Sequence, residues 1–139
     1  MKAFRCRIPV RFGDIDQAGV AYYPTLLSHC HAAFEEFFEG ALGRPYPKLI
    51  LQDRIGFPTV HLEADFRAAL RYGDILTFEV SVARIGERSV VFRYRAFRGR
   101  GKPAFEVLAT TACVDMKRFK SATVPGWLKA RLKRHLRPA

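Results

Sequence analysis

The chain has 139 residues, 49% of them hydrophobic, which suits a single domain over residues 1–139 with a sizeable core and leaves no room for a second. A formal charge of +11 would draw nucleic acid, anionic lipid or a phosphate-bearing ligand without choosing among them. No apolar run approaches the roughly 20 residues of a transmembrane segment, and the start Met1-Lys2-Ala3-Phe4-Arg5-Cys6-Arg7 lacks the hydrophobic region of a secretory leader, so a cytoplasmic location is expected.

Ala3 to Arg11 alternates, with Phe4, Cys6, Ile8 and Val10 on one face and Arg5, Arg7 and Arg11 on the other, which predicts a half-buried strand. Phe12 to Tyr22 carries two glycines and two aspartates and reads as a loop. Pro24 suits the first turn of a helix that runs to about Ala41. Along that helix Leu27, Cys30, Phe34, Phe37, Phe38 and Ala41 form the apolar face, and Glu35, Glu36 and Glu39 mark the wetter one. Gly43 ends the helix, and Pro45 and Pro47 make Arg44 to Arg54 an irregular connection with a short turn, able to lie over a pocket.

From Gly56 onward the period becomes two. Strands are expected at Thr59 to Arg67, Ile75 to Ile85, Ser89 to Arg98 and Ala104 to Lys117, with a hairpin turn at Arg98-Gly99-Arg100-Gly101. Pro125 to Leu136 closes the chain as a short basic helix, with Leu128, Leu132 and Leu136 spaced to dock on the sheet. One long apolar helix and five strands require an α+β fold, a five-stranded antiparallel sheet wrapped around the helix. The open edge and exposed apolar surface of such a sheet imply a homodimer or homotetramer.

The three cysteines, Cys6, Cys30 and Cys113, are odd in number and far apart, which excludes a disulfide framework or a structural zinc site. Cys30 lies between His29 and His31, but neighbours one apart on a helix point in different directions, so a buried structural thiol is expected. His29, His31, His61 and His135 show no ligand spacing, and no metal is expected. The run Asp14-x-Asp16-x-Ala18-Gly19 lacks the fifth-position oxygen of a calcium loop and has Thr25 where a bidentate Glu belongs.

The segment that carries chemistry is Val10 to Pro24, which sets two carboxylates in a glycine-containing loop directly before a helix. Its run Phe12-Gly13-Asp14-x-Asp16-x-Ala18-Gly19, ending in Tyr23-Pro24, resembles the signature of the 4-hydroxybenzoyl-CoA thioesterases and of the acyl-CoA thioesterases associated with the Tol-Pal system. Gly56 to Val60, Ala64-Asp65-Phe66 and Tyr72 to Thr77 follow that family in order and spacing, so the resemblance covers almost the whole chain.

The resemblance implies a hotdog fold and hydrolysis of an acyl- or aroyl-CoA, with no cofactor beyond the coenzyme A of the substrate. It makes Asp16 the catalytic carboxylate, as nucleophile or as base for water, and the backbone N–H of Tyr23 the oxyanion donor. Asp14 is expected to cap the loop. Phe57, Pro58, Thr59 and His31 fall where the family contacts substrate, with Phe57 and His31 departing in residue type. Arg88 and Ser89 match the family's phosphate-gripping pair in the turn Arg84-Ile85-Gly86-Glu87-Arg88-Ser89, while Gly86 and Glu87 replace the arginines of one member. Arg84, Lys117 and Arg118 are possible substitutes. A carrier-protein thioester is the alternative substrate, and a non-catalytic binder of nucleic acid or anionic lipid the alternative of another class; no nucleic-acid motif supports the latter.

Overall fold

A computed structural model describes residues 2–138. In chain order the elements are β1 (Phe4–Pro9), α1 (Tyr23–Gly40), α2 (Tyr46–Lys48), β2 (Ile55–Gly56), β3 (Thr59–Phe66), β4 (Ile75–Ile85), β5 (Ser89–Phe97), β6 (Phe105–Ala112), β7 (Val114–Asp115), β8 (Lys120–Ser121) and α3 (Gly126–Lys133). The main sheet has the order β1-β4-β5-β6-β3 and is antiparallel throughout, and β2, β7 and β8 form a small second sheet. This is the α+β hotdog architecture expected from the sequence.

The two periodicities meet in the core. Leu26, Cys30, Ala33, Phe34, Phe37 and Phe38 are the buried face of α1. Opposite them stand Leu76, Phe78, Val80 and Val82 of β4, Val90, Phe92, Tyr94 and Ala96 of β5, and Phe105, Val107 and Ala109 of β6. Phe34 meets Phe92 edge-on with ring centroids 5.1 Å apart, and Phe37 meets Phe4 at 5.6 Å. Each such side chain taken out of water stabilises the fold by roughly 2–3 kcal/mol.

Three boundaries differ from the sequence reading. The connection after α1 is more regular than expected: α2 is followed by a π-helical turn, Leu49–Asp53, which ends at Arg54 in the left-handed region (φ 61°). Its regularity comes from tertiary contacts. Leu49 is fully buried, Arg44 grips both carboxylate oxygens of Asp53 at 2.9 and 2.8 Å, and the Tyr46 hydroxyl accepts the Phe57 N–H at 2.9 Å.

The stretch from Ala104 to Lys117 is broken rather than continuous. The Cys113 N–H donates to the Arg88 carbonyl and its carbonyl accepts from Ala122, so the chain leaves β6 and turns into the small sheet. The closing helix ends at Lys133, because His135 and Arg137 engage β4: Val82 N–H donates to the His135 carbonyl at 3.0 Å and Arg137 N–H to the Val82 carbonyl at 2.7 Å. Leu136 thus lies parallel beside Val82, two residues beyond the Phe4–Val80 pair that opens β1. Leu128 and Leu132 are fully buried, and Arg131 donates to the Leu42 carbonyl at the end of α1.

At the other side of the sheet β3 is an unpaired edge on which Val60, Leu62 and Phe66 are exposed. Among the described residues no helix is long and apolar enough to cross a membrane.

Candidate active site

The loop between β1 and α1 is tied at both ends by Asp14. Its Oδ2 accepts the Arg11 N–H at 2.8 Å and lies 3.1 Å from His29 Nε2, while its backbone carbonyl accepts the Tyr22 N–H at 2.8 Å. Asp14 therefore caps the turn, as its place before a helix implies, and also fastens the turn to the second turn of α1. The His29 contact was not legible from sequence, because only the fold brings the two side chains together.

Asp16 sits at the exposed crest of this clamped loop. Its N–H donates to Val20 and its Oδ1 accepts the Ala18 N–H at 2.9 Å, an interaction that leaves Oδ2 to solvent. Gly19 closes the crest with φ 81°, a conformation that any side chain would strain. The Ala21 N–H bonds the Leu70 carbonyl at 2.7 Å, which anchors the loop on the connection between β3 and β4.

Immediately after the loop, α1 begins without a side-chain cap, and Pro24 has no N–H to offer. The Tyr23 N–H finds no acceptor among the described residues. An uncompensated helix N-terminus carries partial positive charge, so this N–H is a ready donor to a developing oxyanion. A cleft of about 430 Å³ opens there, lined by Val20, Ala21, Tyr23, Leu26 and the stretch Phe66 to Leu70.

A second, smaller cavity of about 60 Å³ lies between α1 and the sheet. Leu27, Cys30, His31 and Phe34 line one side, and Phe57, Thr59, Leu62, Tyr94, Val107, Ala109 and Thr111 the other. Three residues singled out from sequence, His31, Phe57 and Thr59, are therefore brought together, while Pro58 is exposed beside them and uses its carbonyl to accept the Ala112 N–H. His31 stacks on Phe34 at 5.3 Å and is 3.5 Å from Glu35, with its ring mostly exposed at the rim. His61 is exposed on β3 and does not line the cavity.

Tyr94 is the lining residue that sequence reasoning missed. It is 4% exposed, and burial, reinforced by the nearby Cys30 and Tyr46, pushes its phenol well above the ordinary value. Its only sequence signal was a polar atom at an inward position of β5. Cys30, by contrast, is held as an inert thiol, since burial pushes its pKa up to about 12. Among the described residues no three His, Cys, Asp or Glu side chains converge as metal ligands.

Arg88 and Ser89 stand at the far end of the sheet from the Asp16 loop. The Arg88 guanidinium donates to the carbonyl and hydroxyl of Ser121 at 3.3 and 3.4 Å, and the Gly86 N–H donates to the Ser89 carbonyl. This places the turn against the β7–β8 hairpin, whose loop carries Lys117 and Arg118, while Arg84 is exposed near the end of β4.

Comparison with known proteins agrees with this architecture. Residues 10–132 match the model of the thioesterase-like superfamily. A 1,4-dihydroxy-2-naphthoyl-CoA hydrolase of Prochlorococcus marinus (strain MIT 9303) is 32% identical over 131 residues, covering 87% of this chain and 86% of that protein. A thioesterase superfamily protein from Jannaschia sp. CCS1 superposes with a TM-score of 0.90 at 28% identity, over 97% of this chain and 94% of that one. A 1,4-dihydroxy-2-naphthoyl-CoA thioesterase from Synechocystis shares the fold, with a TM-score of 0.83 at 21% identity over 95% and 96% of the two chains. A family match of this extent on a hotdog framework means that the chain belongs to the thioesterase-like superfamily and is a thioester hydrolase.

Proposed function

We propose that the protein hydrolyses an acyl-CoA, with an aromatic acyl group as the best fit, to the free acid and coenzyme A. The observation that carries this reading is the pairing of an exposed carboxylate, Asp16, with the acceptorless Tyr23 N–H on one clamped loop beside an open cleft. In the nucleophilic course Asp16 Oδ2 adds to the thioester carbonyl, the oxygen that becomes negative is held by Tyr23 N–H, and the C–S bond breaks to release the CoA thiolate. Water then cleaves the resulting anhydride. In the general-base course Asp16 takes a proton from water, whose oxygen adds to the same carbonyl; the C–S bond then breaks and the proton passes from Asp16 to the departing CoA thiolate. Both need the same donor and leave Asp16 ionised at the end.

The small cavity supports the acyl assignment. Leu27, on its wall, is one helical turn from Tyr23, roughly 6 Å along the axis, so the cavity lies along the same helix as the proposed oxyanion donor. Its free volume holds about four to six heavy atoms, enough for part of a ring, and its aromatic wall with the hydroxyl-bearing Thr59 and Tyr94 suits the edge of a hydroxylated ring. Phe57, Thr59 and His31 would flank that ring. Arg88 and Ser89 are the pair that the resemblance assigns to coenzyme A.

The test is free-thiol release from aroyl-, short-chain and long-chain acyl-CoAs and from an acyl carrier protein, with wild type and Asp16→Asn side by side. Hydrolysis of aroyl-CoA that is lost in the variant supports the proposal. Full activity in Asp16→Asn, or activity on the carrier protein alone, overturns it. Single turnover in ¹⁸O-water separates the two courses, since only the nucleophilic one leaves ¹⁸O in Asp16.

A further inference from the structure

The strongest cationic concavity of the molecule is not at Arg88. It lies at the hairpin between β5 and β6, where Arg67, Ala68, Arg98, Arg100, Lys102, Pro103 and Ala104 enclose about 300 Å³. Two of these residues, Arg67 and Ala68, also line the cleft beside Tyr23, so the basin and the cleft are continuous within one chain.

The basin is held in shape. The Arg67 and Ala68 N–H groups both donate to the Ala104 carbonyl, at 2.8 and 3.1 Å, and fix its floor. Arg98 donates to the Ala69 carbonyl at 2.9 Å. Gly99 and Gly101, with φ of 105° and 97°, give the tip a path that other residues would resist. The nearby carboxylates are already engaged: Asp74 accepts the Arg71 N–H and faces Arg98 at 3.8 Å, and Glu106 takes Arg67 at 3.3 Å and Arg95 at 2.8 Å. Arg100 and Lys102 have no acidic partner among the described residues.

Distance separates this basin from the turn bearing Arg88. β5 has nine residues between that turn and the hairpin, a span of roughly 27 Å, and the Asp16 loop is fastened at the hairpin end through Leu70 and Asp74. Arg67 and the hairpin cations thus lie on the cleft side of the sheet, and Arg88 lies at the opposite end of β5. From this we infer that the Arg67–Arg98–Arg100–Lys102 basin is a phosphate-binding site that grips the nucleotide end of coenzyme A. It deepens, and rests on, the acyl-CoA reading above.

The test is calorimetric titration of the full chain with coenzyme A, dephospho-CoA and pantetheine, for wild type, Arg100→Glu/Lys102→Glu, Arg100→Gln/Lys102→Gln and Arg88→Ala. Both hairpin pairs change exposed loop residues, and the glutamine pair separates loss of charge from charge reversal. The advantage of coenzyme A over pantetheine should fall at least about tenfold in the glutamate pair, less in the glutamine pair, and should weaken with salt in wild type. Unchanged coenzyme A affinity in both pairs overturns the inference. So does loss of that advantage in Arg88→Ala alone, or binding of an acidic carrier protein or nucleic acid with no affinity for free coenzyme A. Because binding is read without turnover, an Asp16→Asn variant that stayed active would refute the proposed chemistry and leave the basin standing.

Discussion

The two aspartates of the loop before α1 should respond in opposite ways to substitution. Asp14→Ala removes the acceptor of the Arg11 N–H at 2.8 Å and the partner of His29 at 3.1 Å, where the two side chains are 16% and 14% exposed. The exposed bond from Arg11 and the largely buried contact with His29, at about 1 kcal/mol each, predict a loss near 2 kcal/mol. For a chain of 139 residues the unfolding entropy is about 0.3 kcal/mol per kelvin, so the melting temperature should fall by roughly 7 °C. Asp16→Asn removes no such contact. Its one hydrogen bond, from Ala18 at 2.9 Å, is exposed and can be kept by the amide oxygen, so stability should stay within about 0.5 kcal/mol. Turnover should fall at least about a hundredfold. Thermal unfolding followed by circular dichroism, paired with thiol release from an aroyl-CoA, reads both quantities. Wild-type turnover in Asp16→Asn, or an unchanged melting temperature in Asp14→Ala, would refute the division of labour.

Tyr94→Phe should lower kcat/KM for a hydroxylated aroyl-CoA about tenfold relative to benzoyl-CoA, since it removes a phenolic hydroxyl from a residue that lines the cavity; equal loss on both substrates would refute that role. Burial pushes the thiol pKa to about 11 for Cys6, about 12 for Cys30 and about 11 for Cys113, so near pH 8 Ellman's reagent should react far more slowly with native than with guanidinium-unfolded protein. Burial, reinforced by Arg137 and Arg134, holds His135 below its ordinary value of 6.5 against the opposing bond to Ala41. The stability this neutral ring contributes is complete above about pH 6.5 and lost as pH falls through the folded value, and His135→Leu should flatten the melting profile in that window. Val60→Asp with Leu62→Asp places charge on the exposed β3 edge and should give a monomer by light scattering where wild type is dimeric. A wild-type monomer would count against assembly through β3.

Much of the fold was legible because hydrophobic spacing reports it directly. The helical recurrence of Cys30, Phe34, Phe37 and Phe38 and the twofold recurrence in β4, β5 and β6 describe the buried faces, although Leu26 rather than Leu27 is the buried leucine of α1. The loop carrying Asp16 was legible from its glycines, its acids and Pro24. What escaped the sequence depends on contacts between distant residues. The π-helical turn forms where Leu49 is buried and Arg44 meets Asp53, and the break at Cys113 follows from hydrogen bonds to Arg88 and Ala122. Tyr94 belongs to the same class: on β5 it alternates like any core residue, and only the packed structure shows that it lines the small cavity. The alternation of β3 was a weaker guide, because at an unpaired edge both faces are largely exposed in one chain.

The shared edge of β4 has a consequence for protein engineering. Phe4 and Leu136 stand beside Val80 and Val82, two positions or roughly 7 Å apart along one strand. A flexible linker of about eight residues could therefore join the two terminal segments outside the sheet. A circularly permuted chain opened in the exposed loop between β7 and β8 would keep every pairing of the main sheet. The order in which this fold is written is thus separable from the set of contacts that hold it, and the loop bearing Asp14 and Asp16 would remain an internal segment in the permuted form.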